Sequence, residues 1–216
     1  MTLRVSALTR RLASYVGKSC AEIGADLLRE CPLDGEAAVG VVADPAGDWI
    51  EALLVADLPL RLHHFATSPA EQSAAQTRAR ELGRYDAVHW DALKLPSQPN
   101  PAPRRLDLLL CGLNGGRLHL PELFDWARRA VVSGGQFILT LEIYRGGRSW
   151  EARFTRYRRL RARCLERAPE LADQSFPTRD DLIARLQRAG FERILLRGLH
   201  PPRPLAWTEF IAVIAR

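Results

Sequence analysis

The chain predicts an α/β protein: a three-layer sandwich around a seven-stranded, mainly parallel sheet that ends in an antiparallel strand pair. Three observations carry this expectation. Short apolar runs alternate with amphipathic stretches from residue 38 to residue 142, the pattern of strands joined by crossover helices. The last two apolar runs, 191–197 and 207–215, are separated by the turn GLHPPRP and no helix, which gives an antiparallel hairpin at one sheet edge. Finally, 216 residues with 47% hydrophobic content suffice to bury a core as one domain.

Element by element, residues 3–31 read as helical, with Leu3, Ala7, Leu8, Leu12, Val16, Ile23, Leu27 and Leu28 at helical spacing. Cys31-Pro32 and Gly35 end that segment. Strands are expected at 38–43, 60–65, 86–90, 105–111 and 135–142, and helices at about 48–56, 69–82 and 120–132. Ser68 is a natural N-cap and Pro69 suits a first helical turn. SQPNPAP (97–103) reads as a surface loop. Beyond residue 142, residues 148–170 give a long Arg-rich helix, followed by a helix capped by Thr178 and ended at Gly190. The whole chain, 1–216, is expected to form a single domain, with an N-terminal helical segment over 1–34 and an Arg-rich helical cover over 146–176.

Composition excludes several classes. No apolar stretch reaches the length of a membrane-spanning helix. The basic, mildly amphipathic N-terminus lacks an apolar core and a cleavage site, so the chain reads as soluble and cytoplasmic, not secreted. Cys20, Cys31, Cys111 and Cys164 are scattered without a C-x-x-C pair, and the five histidines lack ligand spacing, so no metal is expected. There is no P-loop, no G-x-G-x-x-G and no G-x-S-x-G. The net charge of +6 comes almost wholly from arginine, since Lys18 and Lys94 are the only lysines. That balance permits anionic partners without arguing for them.

Three segments carry a family resemblance. RRAVVSGGQFILTLE (128–142) joins a helix to a strand through a Gly134-Gly135 turn. HWDALKLP (89–96) has an acidic residue, an alanine and a Leu-Pro after the third strand. RLDLLLCGLNGGRLHL (105–120) gives a strand ending at Cys111 and Gly112, where open α/β sheets place ligands. With VVADPAGDW (41–49) as the first strand-to-helix loop, the order of segments resembles the class I S-adenosylmethionine-dependent methyltransferases, in the style of ubiquinone and menaquinone biosynthesis C-methyltransferases. The resemblance covers about 38–216 and rests on segment order more than on any strict motif.

The resemblance implies S-adenosylmethionine as cofactor and a small-molecule substrate. It assigns Asp91 and the backbone of Ala92 to the adenine, Gly47 and Asp48 to the first loop, Thr67 to the end of the second strand, and Gly112 to the end of the fourth. His119, Glu142 and Tyr144 lie at the ligand-bearing strand ends and are candidates for a general base. The chain also departs from the family. Ala43 and Pro45 stand where loop glycines let backbone approach the cofactor. Val41 replaces the acid that helps hold the cofactor's amino end, an offset placing Asp44 near that role, and Ala66 replaces the acid that grips the ribose hydroxyls. Losing the ribose contact costs about 1.5–3 kcal/mol, or tenfold to a hundredfold in affinity.

The expected function is therefore a methyltransferase-like protein with a degraded cofactor site, a pseudoenzyme that assembles with a protein partner or with itself. The alternatives are an active small-molecule methyltransferase with a non-standard cofactor site and a nucleic-acid-binding module. The last would use residues 148–167, where Arg156, Arg159 and Arg163 interleave with Phe154 and Tyr157. The plainer reading of that run is a solvated helix face over a buried stripe of Trp150, Phe154, Tyr157, Leu160 and Cys164.

Overall fold

The computed structural model describes residues 17, 18, 20–29, 31, 33, 36–44, 46–93, 105–112, 120–145, 177–199 and 208–216. In chain order these form α1 (Cys20–Arg29), β1 (Ala38–Val42), α2 (Asp48–Val55), β2 (Arg61–Ala66), α3 (Pro69–Glu81), a 3-10 turn (Tyr85–Ala87), β3 (Val88–Ala92), β4 (Leu106–Cys111), α4 (Leu120–Ala130), β5 (Val131–Tyr144), α5 (Arg179–Arg188), β6 (Ile194–Gly198) and β7 (Thr208–Ala215).

The strands make one seven-stranded sheet in the order β3-β2-β1-β4-β5-β7-β6. Strands β1 to β5 run parallel, while β7 is antiparallel to both of its neighbours. The expected fold class is thus observed, with β7 set inside the sheet and β6 at its edge. From β1 the chain winds outward through β2 to β3, then returns to the other side of β1 for β4 and β5. The topological switch point falls between β1 and β4, and the carboxyl ends of these strands are where open α/β sheets place ligands.

Two apolar layers hold the helices on the sheet. On one face Val39, Val41, Leu108, Leu110 and Ile138 pack with Leu27 of α1, Ile50 and Leu53 of α2, and Ala75 of α3. On the other face Val42, Leu109, Phe137 and Leu139 pack with Phe124 and Trp126 of α4 and Leu182 and Leu186 of α5. Strand β1 is buried along its whole length, which explains why AVGVV is a continuous apolar run without alternation. The stripe Leu120, Leu123, Phe124, Ala127 and Ala130 anchors α4. Phe124 is fully buried, and Phe124→Ala would cost about 3–5 kcal/mol.

Local signals were strong where they depended on neighbouring residues alone. Ser68 caps α3 by accepting from the Glu71 amide at 3.2 Å, with Pro69 at the first helical position. Thr178 likewise accepts from the Asp181 amide at 3.2 Å, and α5 stops before Gly190 at φ 92°. Arg179 then ties α5 to β7 through Glu209, at 2.8 and 2.9 Å.

Three strands begin two or more residues from where they are expected, β6 among them, at Ile194 instead of 191. Residues 85–87 form the 3-10 turn, so β3 starts at Val88. Strand β5 starts at Val131, not 135, because Val131 already pairs with Leu106. Its register then jumps so that Leu108 faces Gln136, leaving 132–135 as a bulge with Gly134 at φ 84°. The Gly134-Gly135 turn is real, but it lies within the strand.

Candidate functional site: the carboxyl ends of β1, β2 and β4

Three backbone features shape the crevice. After β1, Ala43 takes a left-handed φ of 54°, so the loop keeps a glycine-like conformation at a position where the resemblance expects glycine. Gly112, after β4, packs so tightly on this turn that a Cβ there would lie 2.3 Å from the Ala43 carbonyl oxygen. Its amide donates to Val42 O at 3.0 Å. Gly47, at φ 74°, backs onto α3, with 2.9 Å between an added Cβ and Ala75 Cα. The loop is therefore pinned on both sides by contacts that only glycine allows.

A buried polar cluster fills the space these turns enclose. Asp44, 2% exposed, turns its carboxyl back onto the start of α2 and accepts from the Trp49 and Ile50 amides, both at 3.1 Å. It thus satisfies two of the donors that a helix start leaves open. Glu71 reaches across from α3 and is 3% exposed. Its Oε1 accepts from the Asp44 amide at 2.6 Å, and its Oε2 from the Thr67 amide at 2.9 Å and from the Thr67 hydroxyl. A carboxylate offers about four lone-pair sites, and these three donors engage both of its oxygens.

His64 of β2 completes the cluster. It is fully buried, its Nε2 lies 3.9 Å from Glu71 Oε1, and neither ring nitrogen has a hydrogen-bond partner among the described residues. Its ring packs on Trp90 with centroids 5.4 Å apart. Burial sets the charge state of every member. It pushes the Asp44 carboxyl up to about 8, helped by nearby Asp48 and Glu71, and raises Glu71 against the pull of its Thr67 bonds. It lowers His64 to about 4. The Cys111 thiol, at the end of β4, is raised by burial and by Glu71. At neutral pH, Asp44 is mostly protonated and His64 is uncharged.

The candidate residues from the sequence fall into three groups. Gly47, Asp48, Thr67 and Gly112 do line the ends of β1, β2 and β4, with Asp48 opening α2 and Thr67 bound to Glu71. Asp91 and Ala92 are the last residues of β3, not part of the loop beyond it, paired in register with Phe65 and Ala66. Asp91 lies 3.5 Å from His89 Nε2, which contacts the ring of His63 farther down the same strands. Glu142 is buried in β5 opposite Phe210, and Tyr144 ends β5 opposite Thr208. Strand β4 separates both from the β1–β2 cluster. Pro45, His119 and the Arg-rich run 148–167 lie outside the described residues.

Glu71 and His64 were not singled out from the sequence. One signal for Glu71 was available: Ser68 and Glu71 have the S-x-x-E spacing of a capping box. Its carboxylate overshoots the cap residue and binds Thr67 and the β1 loop instead.

Similarity to solved structures decides the fold family. The structure aligns with geranyl diphosphate C-methyltransferase from Streptomyces coelicolor A3(2) at a TM-score of 0.68 and 10% identity, covering 98% of this chain and 84% of that one. The chain has the class I methyltransferase fold. A geranyl diphosphate methyltransferase in complex with S-adenosylmethionine gives 0.65 at 11% identity, covering 98% and 91%. The [4+2]-cyclase SpnF gives 0.64 at 18% identity, covering 89% and 78%. No family model matches the chain, and no curated protein matches it in sequence.

The class I methyltransferase fold implies S-adenosylmethionine, so the residues present can be tested against it. Val41 is fully buried in the layer facing α1–α3, and Ala66 is 3% exposed. Neither position supplies the carboxylate expected there. The carboxylate beside the ends of β1 and β2, Glu71, accepts from the Asp44 amide and from the Thr67 amide and hydroxyl.

Proposed function

We propose that this chain is a methyltransferase-fold protein that works without ordinary S-adenosylmethionine chemistry, as a non-catalytic partner or scaffold protein. The observation that carries this reading is the engagement of both Glu71 carboxylate oxygens by Asp44 and Thr67. A ribose must be gripped by a carboxylate with open acceptor sites, and an ammonium group by one with a negative charge. Both Glu71 oxygens are engaged by the protein's own donors, and protonated Asp44 lacks the charge.

The same features read naturally as structural. They satisfy buried backbone donors that would otherwise need a ligand or water. Retaining the scaffold while filling the crevice from within suits a protein whose surface, not its crevice, is selected. The fold itself does not require methyl transfer, since a [4+2]-cyclase shares it.

The reading is tested by thermal unfolding of the full chain with saturating S-adenosylmethionine or S-adenosylhomocysteine. A ligand bound only by the folded state at a hundred times its Kd adds about 2.7 kcal/mol. The expected result is no shift in Tm. A clear, concentration-dependent rise would support an active methyltransferase instead.

A further inference from the structure

A second cleft opens at the opposite end of the sheet from the switch-point crevice. It has a volume of about 680 Å3 and lies at the amino-terminal ends of β1, β2 and β3. Its floor is apolar, with Leu62 and Val88 buried beneath it. Its polar lining is Arg61, His63, Asp86, His89 and Arg105. Two guanidinium groups thus face a single carboxylate before either imidazole gains a proton.

The arginines have few partners among the described residues. Arg61 Nε donates to Glu36 O at 3.1 Å, which fixes the guanidinium at the cleft edge. Its terminal nitrogens have no hydrogen bond or ion pair among the described residues, and Arg105 has none at all there. The histidines form an ordered wall. His63 is 8% exposed, its ring meets His89 edge-on at 5.4 Å, and His89 lies 3.5 Å from Asp91. Guanidinium forks match phosphate oxygens in geometry as well as charge, and the rings of His63 and His89 line the same cleft.

We propose that this cleft binds a phosphate group carried on a small organic molecule, a phosphomonoester whose carbon portion rests on Leu62 and Val88. The site is built from residues remote from the crevice, so the fate of the cofactor reading does not decide it.

The test is titration of the full chain, at fixed ionic strength, with inorganic phosphate and separately with glycerol 3-phosphate. Binding is read by calorimetry and by the imidazole resonances of His63 and His89. Saturable binding of both ligands that shifts both imidazoles is expected. Tighter binding of glycerol 3-phosphate would place the carbon portion in the cleft, and equal binding would confine recognition to the phosphate. Arg105→Ala and Arg61→Ala should each weaken affinity by about tenfold. Arg105→Lys, which keeps the charge but loses the fork, should fall between. Both arginines are exposed, and an unchanged urea midpoint confirms that each variant is folded. Absence of saturable binding, binding that the variants leave unchanged, or an equal response to chloride would overturn the proposal.

Discussion

The Asp44 amide donates to Glu71 Oε1 at 2.6 Å, joining the loop after β1 to the first turn of α3. A helix side chain thereby occupies the space between strand ends where this fold receives ligands. Asp44 in turn holds the start of α2 through Trp49 and Ile50. The two acids form one structural unit, and removing either exposes donors that the other cannot reach.

Glu71→Ala should therefore be costly. It strips the acceptor from the amides of Asp44 and Thr67 and from the Thr67 hydroxyl, at a buried or part-buried site. Leaving each buried group unsatisfied costs about 1–3 kcal/mol, reduced where water enters the space, so a total loss of about 3 kcal/mol or more is expected. Glu71→Gln keeps one acceptor oxygen and should lose less. Urea unfolding at pH 7 measures both. A loss in Glu71→Ala below about 0.5 kcal/mol, the range of ordinary surface changes, would mean that the network is not structural.

The same cluster makes stability depend on pH in two opposite directions. Asp44 has a folded value of about 8, above its ordinary value, so its protonated form is favoured in the folded state. Its contribution is fully present below about pH 4 and is lost as pH rises toward 8. Glu71, also raised, acts in the same sense. His64, lowered to about 4, contributes stability above about pH 6.5 that is lost as pH falls toward 4. Above pH 6.5 Asp44 still titrates, and stability should decline toward pH 8 with a slope of at most about 1.4 kcal/mol per pH unit from that group. Asp44→Asn keeps an acceptor for the α2 amides without the titration, so it should flatten that decline. An unchanged slope in Asp44→Asn would show that Asp44 is not buried as a neutral acid.

Three glycines separate steric crowding from backbone strain. Gly83 has φ 66° and open space around an added Cβ, so Gly83→Ala should cost only the left-handed penalty of about 1–2 kcal/mol. Gly47→Ala adds contact with Ala75 to the same penalty and should cost more. Gly112→Ala has no such backbone penalty, yet drives a methyl into the Ala43 carbonyl and should cost about 3 kcal/mol or more. Thermal unfolding should rank Gly83→Ala as the mildest. A mild Gly112→Ala would show that the β1 and β4 ends separate easily, as an open ligand crevice would.

How much of this was legible in the sequence follows from how local each determinant is. Ser68, Thr178 and Gly190 mark helix ends within a few residues, and their roles are as expected. The buried run 39–42 shows itself as a parallel strand because no polar residue interrupts it. The early start of β5 at Val131 was hidden, since it depends on pairing with Leu106 and on a bulge that places Gln136 opposite Leu108. The absence of carboxylates at Val41 and Ala66 was visible at once. Their replacement by Glu71 was not, because within PAEQSAAQTRARE that residue looks like part of a polar helix face. Only the β2–α3 turn, which folds Thr67 beside the β1 loop, makes it a ligand to both. His64 was equally opaque: its burial arises from the Trp90 ring on β3, which no local pattern announces.

The central claim is that the chain's own carboxyl groups occupy the crevice where S-adenosylmethionine would be held. Titration calorimetry of the full chain with S-adenosylhomocysteine tests it most directly. No saturable heat is expected at micromolar ligand, in wild type and in Asp91→Ala alike. Saturable micromolar binding, weakened by Asp91→Ala, would contradict it and restore a working cofactor site.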